Sequence, residues 1–157
     1  MPKTNLDAID RKILKYLINN ARMPFLEIAR ECGISGAAIH QRIRKLDEAG
    51  VILGSRLVVD PKMMGFDVCA HISITLKDPQ LLQQTVDHLK EIPEIVEAHF
   101  ITGKGNILAK LYCVDNEHLM RTIFDGILRI PGIATTETNI SLQEAFQRQG
   151  NVDFIEE

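Results

Sequence analysis

Three groups of residues in this chain have types and spacings that could do chemistry. They are a basic run, His40-Gln41-Arg42-Ile43-Arg44-Lys45, a glycine-rich run, Thr102-Gly103-Lys104-Gly105-Asn106, and a scatter of five histidines and three cysteines. The scatter is the least informative. Cys69 and His71 lie two apart and share a face of a strand, while His99 and Cys113 fall in other strand-like runs. There is no H-E-x-x-H, no C-x-x-C and no Ser/His/Asp set at an interpretable interval, so no catalytic residue and no metal ligand is assigned. The odd cysteine count argues against a disulfide framework, and all three read as reduced, small apolar side chains.

The basic run is best read on a helical wheel. With Ile39 at zero, Ile43 and Leu46 fall within roughly 40° of it at about 100° per residue, which makes them the packing stripe. Ala37, Gln41, Arg44 and Glu48 point away, with Ala38, His40 and Lys45 at the borders. Small residues, then an amide, then cations is an order suited to the DNA major groove. Small residues let a helix end approach the bases, Gln pairs with an adenine edge, and Arg pairs with guanine. Ser35 and the first free N–H groups suit a phosphate, and Arg42, Lys45 and Arg56 are expected on the DNA backbone. Taken alone, the glycine-rich run reads as a hairpin turn, since G-x-G is weak evidence and a Walker lysine pattern is absent.

The elements that must position these residues change character near Gly50. Before it the spacing predicts three helices. Leu6, Ile9, Ile13, Leu14, Leu17 and Ile18 recur at helical intervals behind a cap at Thr4 or Asn5. A second helix opens at Pro24, turns Phe25, Ile28 and Ala29 inward and stops at Gly33; a third starts from Ser35 and ends at Gly50. That is a tight helix-turn-helix preceded by a packing helix. Val51 to Val59 reads as a strand, and Asp60-Pro61 with Gly65 marks a junction.

Beyond the junction lies an internal repeat. Placing Pro93 over Pro131, an offset of 38 residues, aligns Ile92 with Ile130, Ile95 with Ile133, Leu81 with Leu119 and Cys69–Leu76 with Ile107–Val114. Each half reads strand, helix, strand: Val68–Leu76, Leu81–Glu91 and Ile95–Thr102, then Ile107–Val114, His118–Arg129 and Ile133–Leu142. Two such units give a ferredoxin-like β-α-β-β-α-β arrangement with helices on one face of a four-stranded antiparallel sheet. The other face has no cover within the chain; an open face carrying apolar residues calls for a partner, so a homodimer is expected.

The composition agrees with two small folded units. The chain has 157 residues, 45% apolar and 25% charged, enough apolar surface to offset the entropy of ordering. No apolar run approaches the roughly 18 residues of a membrane span, and the N-terminus lacks a secretory h-region, so the expectation is a cytoplasmic protein with no membrane partner. The formal charge of −3 hides an asymmetry: residues 1–56 carry +4 and residues 57–157 carry −7. A polyanion partner would therefore meet the N-terminal part.

Several co-linear motifs then carry a family resemblance. Leu6-Asp7-Ala8-Ile9-Asp10-Arg11-Lys12-Ile13-Leu14, Ala21-Arg22, Glu27-Ile28-Ala29, Gly33-Ile34-Ser35 and Arg42-Ile43-x-x-Leu46-x-x-x-Gly50-Val51-Ile52 resemble the N-terminal signature of the Lrp/AsnC, or feast/famine, transcriptional regulators. Gly65-Phe66, Thr102-Gly103, Ile130-Pro131-Gly132-Ile133 and Thr136-x-Thr138 extend the match to about Leu142, and Ile39-His40 with Gly54-Ser55-Arg56 look closer to the AsnC branch. The resemblance implies a DNA-binding domain, a hinge strand and a ligand-sensing domain whose dimers assemble into larger discs, often octamers. It also implies an amino-acid effector held between dimers by Thr102, Gly103, Lys104, Gly105 and Asn106 with Thr136 and Thr138. Many relatives end this loop with Asp; Asn106 departs from that pattern and points to a polar uncharged effector such as asparagine or glutamine.

The reading is thus an α+β chain: helix-turn-helix over 1–52, strand and hinge linker over 53–65, ferredoxin-like effector and oligomerisation domain over 66–142, and a tail over 143–157. The expected function is a sequence-specific regulator that binds double-stranded DNA, is not an enzyme and uses no cofactor beyond the amino-acid effector. An architectural DNA-wrapping protein, or a ferredoxin-like amino-acid sensor or enzyme that does not bind DNA, are the alternatives.

Overall fold

The computed structural model describes residues 5–150. The chain divides into two compact units, one running to Val58 and also taking the tail from Phe146, the other comprising Val59–Ala145.

The first unit is three helices, α1 (Ala8–Asn19), α2 (Phe25–Cys32) and α3 (Gly36–Glu48). The expected cap at Thr4 or Asn5 is corrected. Thr4 lies outside the described residues, and Asp7 caps α1 by accepting the Asp10 N–H, while the Asp10 carboxylate accepts the Asp7 N–H in return. Aspartate is as good an N-cap as asparagine, and the reciprocal bond fixes where the helix begins. Pro24 stands just before α2, and Gly33 ends it at φ 66°, a left-handed conformation that glycine adopts without steric cost. Ile13, Ile28, Ala29, Ile39 and Ile43 form one core cluster, and Leu6, Leu14 and Leu46 a second.

The run from Val51 to Val59, expected as a strand, is not one. Residues 52–60 contain no strand, and Leu53, Leu57 and Val58 stand exposed. A β-prone sequence forms a strand only where a neighbour completes its hydrogen bonds, and none does so among the described residues.

The second unit is ferredoxin-like. Strands β1 (Val68–Leu76), β2 (Ile95–Phe100), β3 (Ile107–Cys113) and β4 (Ile133–Ser141) form one sheet in the order β2-β3-β1-β4, with all neighbours antiparallel. Helix α4 (Leu82–Lys90) follows a helical turn at Pro79–Leu81. The helix expected over His118–Arg129 is three pieces: α5 (Asn116–Arg121), a π-helical segment at Thr122–Gly126 and a 3₁₀ turn at Ile127–Arg129. Alternation puts Val68, Ala70, Ile72, Ile74 and Leu76 of β1, and Ile107, Ala109, Leu111 and Cys113 of β3, into the core with Leu89, Leu119 and Ile127.

The opposite face of the sheet corrects an expectation. Along β1 and β3 it presents Cys69, His71, Ser73, Thr75, Leu108, Lys110 and Tyr112, so it is chiefly polar rather than apolar. The period of two that buries the aliphatics on the helix side leaves the polar residues of the same strands on the other. Lys110 there pairs with Glu144 at 3.3 Å and lies 5.2 Å from the centre of the Tyr112 ring.

Candidate nucleic-acid interface and effector loop

Helix α3 is positioned by a cap and a buried stripe. The Ser35 hydroxyl accepts the Ala38 N–H at 3.2 Å, leaving the N–H groups of Gly36 and Ala37 as the open donors of the helix start. Ile39, Ile43 and Leu46 are buried, as the wheel requires. Ala37, His40, Gln41, Arg44 and Lys45 are exposed, and Ala38 is half-buried. The His40 ring sets its edge against Phe25 of α2, centroids 5.4 Å apart. Gln41, Arg44, Lys45 and Arg56 engage no hydrogen bond or ion pair among the described residues. Their polar groups are therefore open to an outside partner.

Arg42 is different. It was expected on the DNA backbone, but its Nη1 donates to Asp7 Oδ2 and to Asp10 Oδ1, both at 2.7 Å. Asp10 is 1% exposed. The backbone N–H of Asp10, then the Arg42 guanidinium, hold the Asp7 carboxyl below its ordinary pKa, and the two carboxylates raise that of Arg42. This network escaped the sequence reading. Its one legible signal is the Asp7-x-x-Asp10 spacing of a capping box, which says nothing of a third partner.

The glycine-rich run joins β2 to β3, and the fold itself uses several of its polar groups. Asn106 donates its N–H to the Ile74 carbonyl at 2.8 Å, and its side-chain oxygen accepts the Leu76 N–H at 2.7 Å. The side chain thereby adds one rung to the β1–β3 ladder beyond Ile107, the first residue of β3. Ser73 donates its hydroxyl to the Lys104 carbonyl at 3.1 Å. Gly103 and Gly105 sit at φ 99° and 95°; a Cβ on Gly105 would collide with the Ser73 hydroxyl and stand 3.3 Å from the Ile74 carbonyl oxygen. Only glycine fits this approach.

These bonds limit what the Asn106 amide can offer a ligand. Its oxygen is engaged, and its NH₂ remains. Thr136 and Thr138 pair with Ile74 and Ile72 across the far side of β1, so that strand stands between the threonines and the loop, roughly 10 Å or two strand spacings apart. One chain does not bring the two halves of the expected effector site together.

Among the described residues no group of three or more His, Cys, Asp or Glu side chains is placed to hold a metal ion, and no helix is long and apolar enough to cross a membrane. His118 accepts the Val114 N–H at Nδ1 and meets Glu94 at 2.9 Å through Nε2, a tie between α5 and the start of β2.

A capped helix-turn-helix followed by a ferredoxin-like ligand domain defines a two-domain, DNA-binding transcriptional regulator, and comparison with known proteins agrees. Residues 6–47 match the AsnC-type helix-turn-helix domain, and residues 67–150 match the Lrp/AsnC ligand binding domain. The chain is 35% identical to the regulatory protein AsnC of Haemophilus influenzae, over 92% of its own length and 96% of that protein. It is 36% identical to the regulatory protein AsnC of Escherichia coli K12, over 91% and 94%. The solved structure of E. coli AsnC superposes with a TM-score of 0.88 at 35% identity, covering 94% of this chain and 99% of that one. A feast or famine regulatory protein from M. tuberculosis, solved in complex with L-methionine, shares the fold with a TM-score of 0.87 at 24% identity, covering 94% and 99%. The chain belongs to the Lrp/AsnC family. It is a DNA-binding regulator and not an enzyme, in keeping with the regulatory proteins it matches.

Proposed function

We propose that α3 reads double-stranded DNA through Gln41 and Arg44. Ala37, Ala38 and His40 allow the close approach, Ser35 with the open N–H groups takes a phosphate, and Lys45 and Arg56 hold the backbone. The observation that carries this is the exposed, unengaged state of Gln41, Arg44 and Lys45 on a capped helix within a segment of charge +4. Selection from random duplexes followed by titration at several salt concentrations tests it. A selected site and a steep fall of affinity with salt are expected; equal binding to all sequences rejects the base-reading role.

The C-terminal domain, in the same proposal, takes an amino acid as effector. The turn at Gly103 and Gly105 offers backbone N–H groups to the α-carboxylate. The Asn106 NH₂ donates to an acceptor on the side chain of a polar uncharged ligand such as asparagine or glutamine, and the Thr136 and Thr138 hydroxyls take the ammonium. L-methionine in the structurally similar M. tuberculosis protein supports the ligand class. Because β1 separates the loop from the threonines, the site is completed by a copy in a neighbouring dimer, as homodimers assemble further, to an octamer. The extents that serve these roles are 1–52 for DNA, 53–65 as linker, 66–142 for effector and assembly, and 143–157 as tail, in a protein working in the cytoplasm. A thermal-shift screen of the twenty amino acids, read beside the sedimentation profile, tests the second half, since a native-state ligand raises Tm by mass action. Indifference to all twenty favours the effector-free architectural reading.

A further inference from the structure

Arg42 sits on α3, carries the charge DNA attracts, and yet is turned into its own domain. Its Nη1 lies between Asp7 Oδ2 and Asp10 Oδ1 at 2.7 Å each. The remaining oxygens of the two carboxylates are taken by backbone donors, Asp7 Oδ1 by the Asp10 N–H at 2.8 Å and Asp10 Oδ2 by the Asp7 N–H at 3.3 Å. All four oxygens therefore have a donor, and the first turn of α1 and the middle of α3 become one bonded unit. The same α1 is tied to α2, where Lys12 donates to the Glu31 carbonyl and the Tyr16 hydroxyl meets Glu31 Oε2 at 3.3 Å. Aliphatic packing of Ile39, Ile43 and Leu46 resists separation of the helices but constrains rotation and sliding of α3 weakly, because dispersion has little directional preference. Short, charge-assisted bonds to a buried carboxylate do have direction.

We propose that Arg42 is a positioning residue for DNA recognition: by bracing α3 on the Asp7–Asp10 capping box it fixes the rotation and depth at which Gln41 and Arg44 meet the bases, and it is not itself a phosphate contact. This rests on the reading of α3 as the DNA-reading helix. A small rotation of α3 displaces a bidentate side chain from a base edge, whereas phosphate contacts by flexible cations tolerate it. Loss of the brace therefore lowers discrimination between sequences and leaves general affinity for duplex DNA in place.

The test uses the full chain, a duplex selected by the wild-type protein from random sequence, and a scrambled duplex of the same composition. Affinity for both is titrated over several salt concentrations for wild type, Arg42→Gln, Asp7→Asn and Lys45→Ala, with circular dichroism confirming folding. In Arg42→Gln the selected-to-scrambled ratio is expected to fall about tenfold, the scale of one base contact, with an unchanged salt slope. Lys45→Ala should instead weaken both duplexes alike and lower the slope by about one. Asp7→Asn keeps an N-cap, and Asp7 is half-exposed, so it carries the test if Arg42→Gln does not fold. Removing an anion strengthens attraction to any duplex, yet the brace predicts a lower ratio. A salt slope reduced by about one in Arg42→Gln, or ratios kept at the wild-type value in folded variants, overturns the proposal. Failure of the wild-type protein to select any sequence is a separate result: it removes the reading of α3 itself, and this inference with it.

Discussion

Helix α3 and the β2–β3 loop are both expected to hold a ligand, but they expose their chemistry in opposite ways. On α3 the fold uses one side of the helix, and Gln41, Arg44 and Lys45 stand on the other with no bond among the described residues. In the loop a residue that would meet an effector also holds the chain: the Asn106 oxygen accepts from Leu76 and its N–H donates to Ile74, beside the Lys104 carbonyl that accepts from Ser73, and its NH₂ is what remains for a ligand. Recognition on the helix is therefore separable from stability residue by residue, whereas in the loop Gly105 and Asn106 serve both, so a substitution there touches the fold as well as the ligand.

The largest effect that would break this comparison comes from dividing the units. A fragment beginning near Asp60 holds both β-α-β halves and their whole core cluster, so it should fold, self-associate and lose DNA binding entirely. Ultracentrifugation and gel shift measure this, and an unfolded monomer refutes the independence of the second unit. Next is Gly105→Val, which forces a β-branched residue to φ 95° and against Ser73, and should cost about 3 kcal/mol in thermal unfolding. Gln41→Ala and Arg44→Ala should cost about 1–3 kcal/mol on the selected duplex while stability moves by no more than about 0.5 kcal/mol. Comparable losses of stability in all three would erase the distinction.

Asn106 sharpens it. In Asn106→Ala the Leu76 N–H loses its acceptor, with an expected loss of about 1–3 kcal/mol of stability. Asn106→Asp keeps an oxygen for Leu76 and should stay close to wild type, while its second oxygen, in place of the NH₂, now favours an ammonium. Calorimetry with asparagine, glutamine, leucine and lysine should show tighter and less selective binding in Asn106→Asp than in wild type. Unequal stability of wild type and Asn106→Asp would mean that the NH₂ also holds the fold.

What the sequence disclosed follows the same division. Strand β1 was legible to the residue, because strict alternation from Val68 to Leu76 is what a sheet with one buried face produces. The 38-residue offset found both halves of the ferredoxin-like unit, because each must bury the same pattern against one sheet. The wheel of α3 placed its buried stripe correctly, and at about 100° per residue it sets Arg42 beside the stripe and Arg44 away from it. It could not say what Arg42 meets there: only the fold brings Asp7 and Asp10 within its reach from 35 and 32 residues away. The π-helical segment at Thr122–Gly126 and the missing strand after Gly50 were hidden for a related reason: local propensity is silent about where a backbone finds its partners.

The smallest effect concerns the charge of the brace. Asp7 has a carboxyl whose pKa is lowered in the folded state by the Asp10 N–H and then by Arg42. A carboxylate of this kind contributes stability above its unfolded pKa, near the ordinary 3.8, and loses it as pH falls through the folded value. The Asp7 side chain is 52% exposed, so solvent screening limits the charged contribution to less than about 1 kcal/mol. Asp7→Asn retains the capping bond but not the charge. The gap in unfolding free energy between wild type and Asp7→Asn should therefore be steady from pH 5 to 7, as an order-of-magnitude window about a unit above the ordinary value, and close as the pH falls through the lowered folded value. Added salt should narrow it at neutral pH, because a half-exposed pair is partly screened. A gap that is the same at low and neutral pH would assign the whole effect to cap geometry, leaving the Arg42 brace to act through Asp10, the buried carboxylate, alone.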